Sequence, residues 1–124
     1  MCLNKVTEEF DPPDPAIKIG YKCFYATRTN QSTMCYSAPL QKFDKFFNVG
    51  EWTEDNNIGR VEHIYNVGFH IFREYNDAAV YTLHFLGSIN SICKVEYTNT
   101  VATGYQQNMP VVVARKIRII EECV

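Results

Sequence analysis

The run Val111-Val112-Val113-Ala114-Arg115-Lys116-Ile117-Arg118-Ile119-Ile120 decides the fold. Six of its ten residues are β-branched. Such side chains are stiff at χ1 and pack well on a pleated surface, so the run is a long strand. In strict alternation Val113, Ile117 and Ile119 share one face and Arg115 lies among them. Ala114, Lys116 and Arg118 take the other face with Val112 and Ile120. An arginine in an apolar register is costly unless a partner satisfies it. Either a β-bulge shifts the register or an internal ion pair holds the side chain. The alternative is a guanidinium fork that meets a phosphate at a pocket or subunit interface.

Working back from this strand, residues 92–97 alternate, with Cys93, Val95 and Tyr97 on one face and Lys94 and Glu96 on the other. Residues 100–103 continue that strand, and 104–110 read as a polar loop. A helix is expected over about 74–86. Asn76 and Asp77 suit its positive end, Ala79, Leu83 and Leu86 form its core stripe, and Gly87 ends it. Residues 60–65 and 68–72 read as short strands around an Asn66-Val67-Gly68 corner. The 39–57 segment, with Phe43, Phe46, Phe47 and Trp52, reads as a structured loop with a short helical turn. Residues 17–25 alternate as a half-buried strand with 17, 19, 21 and 23 on one face, and 33–37 return as the second strand of a hairpin. Residues 1–16 form an extended arm in which Pro12, Pro13 and Pro15 forbid a helix. The expectation is one α+β domain over 17–124, a mostly antiparallel sheet with one main helix packed on it.

The chain has 124 residues, 46% hydrophobic and 21% charged, which fits a single globular domain and excludes wholesale disorder. Aromatic residues reach 14%, more than a core of this size buries, so some rings are expected at the surface as ordinary exposure, in a pocket or in a subunit interface. Twelve basic against fourteen acidic residues give a net charge of −2, which argues against gripping long nucleic acid. Five cysteines at 2, 23, 35, 93 and 123 form no CxxC, and the first residues do not read as a secretory leader. Free thiols in a cytoplasmic protein are expected. No apolar run reaches the ~20 residues of a membrane span.

No cofactor and no metal site are expected: His63, His70 and His84 form no HxH, HxxH or HExxH pair. There is no GxSxG elbow, and the six glycines occur singly, without GxGxxG or a Walker run. Catalysis is therefore not expected. One weaker pattern is the order His70, Tyr81, Glu96, reminiscent of ADP-ribosyltransferases and consistent with a small NAD- or ADP-ribose-processing enzyme. A plain protein-interaction module is the third alternative. On chemical grounds the candidate ligand-binding residues are Arg60, Phe69, Phe72, Asn90, Arg115 and Arg118, with Tyr25, Trp52 and Tyr105 as further stacking surfaces.

Gly68-Phe69-His70-Ile71-Phe72, followed by Asn76-Asp77-Ala78 and a helix, carries a resemblance. With Met1-Cys2-Leu3, Tyr21-Lys22-Cys23-Phe24, Tyr36-Ser37-Ala38-Pro39, Gly50-Glu51-Trp52 and the strand from Val112 to Ile119, the chain resembles small phage-encoded "GFH" proteins. Among these it resembles the phage Thoeris anti-defence signal-sequestering (sponge) family of the first type, from about residue 17 onward. The resemblance implies sequestration of a cyclic ADP-ribose signal without cleavage, in the host cytoplasm. It also implies assembly of dimers into hexamers and, in some members, separate sites for cyclic oligonucleotides.

Overall fold

The computed structural model describes residues 3–28, 34–37, 46–55, 60–61, 65–66, 68–84 and 91–123. In chain order the elements are β1 (Lys5–Asp14), β2 (Lys18–Arg28), β3 (Met34–Ser37), β4 (Phe46–Phe47), β5 (Trp52–Glu54), β6 (Arg60–Val61), β7 (Tyr65–Asn66), β8 (Phe69–Phe72), α1 (Tyr75–His84), β9 (Ser91–Gln106) and β10 (Met109–Cys123). Every pairing is antiparallel, so the α+β expectation of an antiparallel sheet with one helix is met among the described residues.

The β9–β10 hairpin is the spine. The polar loop expected over 104–110 shrinks to a two-residue turn, Gln107-Asn108, with both φ angles positive at 51° and 67°. That geometry matches the right-handed twist of the flanking strands, which lets the ladder run to Met109↔Gln106. Gly104 belongs to the ladder: a Cβ there would run into the Lys5 carbonyl oxygen of β1.

β10 occupies one edge of β9 along its length. The other edge is divided, with β2 on 91–97 and β1 on 100–105. The far edge of β10 carries β8 at Val111–Ala114 and β5 at Lys116–Arg118. β2 meets β8 through Tyr21↔Phe72, so β2, β9, β10 and β8 close into a ring. Inside it lie Phe24, Phe69, Ile71, Val95, Tyr97, Val112, Ile117 and Ile119, and Phe47 of β4 packs edge-on between Phe24 (5.3 Å) and Phe69 (5.6 Å). The 39–57 segment thus supplies two short strands, β4 and β5, where a loop with a helical turn was expected.

Ring closure explains why strict alternation misplaced β2. Gly20, Lys22 and Phe24 are buried, while Ile17 and Ile19 are 61% and 54% exposed. Tyr21 and Cys23 face outward beneath α1, which reaches no further along the strand. The helix is also rotated from its expected stripe. Ala78 and Tyr81 pack against Cys23, Phe72, Ile92 and Val111, whereas Leu83 is 66% exposed and Leu86 lies outside the described residues. The Tyr81 ring, 5.3 Å from that of Phe72, sets this orientation. Asp77 does sit in the first turn, where the dipole favours a carboxylate.

The β10 face also divides. The register shifts between Val113 and Ala114, where Val101 of β9 is the extra residue, and Asn99 has a φ of 57°. Val112 and Ala114 point into the ring, as do Ile117 and Ile119 beyond the irregular stretch. Val113 instead joins Val101 and Ala102 in an outer cluster covered by Val6 of β1 and by Leu3, which precedes it. The extended arm is therefore paired to β9 over Lys5–Asp14, and Thr7 and Thr103 share a hydroxyl hydrogen bond of 3.0 Å.

Candidate functional site

One row of side chains crosses the outer face of four strands. Register places Trp52 of β5 beside Arg118 of β10, Arg118 beside Glu96 of β9, and Glu96 beside Ile19 of β2. The guanidinium carbon of Arg118 lies 4.9 Å from the Trp52 ring centroid. Its Nε donates to Glu96 Oε1 at 3.1 Å, and Nη2 donates to the same oxygen. A cation over an indole contributes about 0.5–1 kcal/mol at exposed sites, and an exposed ion pair up to about 1 kcal/mol. Together they fix the fork in one orientation. Nη1 makes no hydrogen bond among the described residues, and Trp52 is 39% exposed. The product is a shelf: an immobilised cation beside an accessible aromatic edge, bordered by the exposed Ile19 and Ile120.

Arg115 stands apart from this row. It donates to the backbone carbonyl of Asp55 while the Asp55 amide donates to the Arg115 carbonyl at 2.8 Å. This reciprocal clasp fastens the chain just after β5 to β10. Of the explanations open for Arg115, a register shift is present next to it, with Val101 of β9 as the extra residue opposite β10.

The six chemical candidates do not converge. Phe69 is fully buried against Phe47 inside the ring, and Phe72 is buried against Tyr81 under the helix. Aromatic content alone could not separate a stacking platform from core. Arg60 begins β6 opposite Asn66, and its side chain lies outside what the structure describes. Asn90 and His63 lie outside the described residues. Arg118 meets an aromatic surface, the ring of Trp52.

His70, Tyr81 and Glu96 are held in separate contacts. Burial, reinforced by the charge of Lys22, pushes His70 down to about 3, so its imidazole is neutral near pH 7. Tyr81 is enclosed in the helix–sheet cluster, and Glu96 is bound to Arg118. No sequence motif marks Lys22 as a buried cation. It is 5% exposed, donates from Nζ to the His70 carbonyl at 2.9 Å, and lies 5.9 Å from the Phe69 centroid. Burial pulls it down to about 8, against the opposing influence of Cys23 and Asp55. The available signal was its inward parity between Gly20 and Phe24. No helix of the described residues is long and apolar enough to cross a membrane. Comparison with protein-family models, curated proteins and solved structures finds no match to this chain.

Proposed function

We propose that this protein binds a nucleotide-derived signal of the cyclic ADP-ribose type and withholds it without cleaving it, as a phage anti-defence sponge. The observation that carries this reading is the Arg118 guanidinium fixed over the half-exposed Trp52 ring. The indole offers a stacking surface for a base, and the free end of the fork suits a phosphate. Held in advance by Glu96, the guanidinium loses little freedom on binding. The shelf is open, and a second copy packed on Ile19 and Ile120 would wall it, in keeping with the homo-oligomer that the resemblance implies. Cyclic oligonucleotides are a second class of ligand under the same resemblance.

The test is to incubate the protein with cyclic ADP-ribose, remove unbound nucleotide, denature by heat and analyse the supernatant. Intact cyclic ADP-ribose released in stoichiometric amount is the expected outcome. An altered nucleotide points to an enzyme, and no retained nucleotide removes the reading.

A further inference from the structure

A second concave site lies where the chain passes from β1 to β2 along the same edge of β9. β1 ends its pairing at Asp14↔Thr100 and β2 begins at Lys18↔Tyr97, so the ladder is broken between them. Thr98 donates to the Pro15 carbonyl across the break at 2.8 Å. The gap lies at a cleft of about 260 Å³ whose apolar lining includes Val112 and Phe10.

Its polar lining is unusual for a seam between strands. Thr100 is 3% exposed, and its hydroxyl has no hydrogen-bond partner among the described residues. Buried hydroxyls are ordinarily satisfied, so an orphan on a cleft wall marks a place for an incoming oxygen. Tyr97 is buried beside it; burial raises its phenol, opposed by the charge of Arg73, so it stays a neutral donor near pH 7. Thr103 adds a second hydroxyl. Arg73, just after β8, is exposed and makes no ion pair among the described residues, while Lys18 has only a loose 3.9 Å contact with Asp14. Glu8, on the β1 side, is the one acidic lining residue among the described residues and disfavours a ligand carrying several negative charges.

We propose that this cleft binds a compact phosphorylated sugar: one phosphoryl group between Arg73 and Lys18, with the sugar hydroxyls on Thr100, Thr103 and Tyr97. Pockets for drug-sized ligands run from roughly 300 to 1,000 Å³, and this cleft falls just below that range. One phosphate with one sugar ring suits the space, and the site includes neither Trp52 nor Arg118. Of the residues named for the shelf proposed above for the larger signal, it shares Ile19.

Calorimetric titration of the intact protein with ribose 5-phosphate, inorganic phosphate and AMP tests it. Saturable binding of ribose 5-phosphate is expected, weakened about tenfold by Arg73→Gln, which removes a charge-assisted contact. Thr100→Val keeps the shape and removes the hydroxyl. It should weaken binding several-fold while leaving Tm unchanged or raised, because the unliganded hydroxyl has no partner to lose. Phosphate binding as tightly as ribose 5-phosphate would overturn the sugar contacts, and AMP binding more tightly would overturn the size limit. No saturable binding, or affinities untouched by both substitutions, sinks the site. Saturating ribose 5-phosphate should leave capture of cyclic ADP-ribose intact, so the two proposals fail separately.

Discussion

Lys22 of β2 reaches the backbone carbonyl of His70 in β8, 2.9 Å from Nζ to oxygen, at the seam where the two strands share the single bridge pair Tyr21↔Phe72. A side chain thus adds a hydrogen bond where the ladder is shortest. Burial depresses the imidazole of His70 and the same ammonium adds to that, so one residue both bridges the seam and helps to keep its neighbour neutral.

Lys22→Met tests that closure. Lys22 falls from 10.5 to about 8 on folding, so between those values the unfolded chain binds more protons and wild-type stability gains from rising pH. Relative to Lys22→Met, the wild type should gain up to roughly 1.4 kcal/mol per pH unit across this window. Cys23 and Cys93 are raised by burial and act in the opposite sense in alkali; Cys93 is common to both proteins and cancels in the difference, whereas Cys23 rises further once the Lys22 charge is removed. Urea unfolding of both at pH 7.5, 8.5 and 9.5 measures it; a constant difference would mean the amine is not buried.

His70 gives the acid counterpart. Its fall from 6.5 to about 3 means that the unfolded chain takes up a proton first as pH drops. Stability contributed by the neutral ring is complete above about 6.5 and lost progressively down to about 3, by up to roughly 1.4 kcal/mol per unit. His70→Gln should flatten the acid limb of the stability profile relative to wild type. A His70 ring proton titrating near pH 6.5 by NMR would contradict the burial.

Trp52 and Arg118 should separate binding from stability. Trp52→Ala removes a half-exposed ring and a surface cation–π contact, so unfolding free energy should fall by only about 1–2 kcal/mol. Retention of cyclic ADP-ribose should drop more than about tenfold, equivalent to about 1.4 kcal/mol of lost stacking. Arg118→Lys keeps the charge but loses the fork, and should fall between wild type and Arg118→Ala in equilibrium dialysis.

Alternation within β9 was legible because Cys93, Val95 and Tyr97 face one continuous core. The antiparallel plan followed from it and from the valine-rich run. Ring closure was not legible: one bridge pair at Tyr21 reverses which side of β2 is inside, and no local pattern announces it. The Trp52–Arg118–Glu96 row depends on three registers, so the residue types were visible while their meeting was not. The cleft escaped for the same reason, since the break between β1 and β2 exists only once both lie on one edge of β9. Leu83 looked like core because spacing fixes a stripe but not which stripe the sheet accepts. Tyr81 carries the larger side chain and takes the inside.

The helix rotation is the cleanest test of that last point. Leu83 is 66% exposed, so Leu83→Gln should change stability by no more than about 0.5 kcal/mol. Tyr81 is buried against Phe72, Cys23 and Ile92, and Tyr81→Ala leaves a cavity the size of a ring, costing about 3–5 kcal/mol. Tyr81→Phe retains the packing and removes only the hydroxyl, so it should recover most of that loss. Chemical denaturation of the three variants decides between the orientations. A large loss for Leu83→Gln with a small one for Tyr81→Ala would require the helix to turn its other face to the sheet.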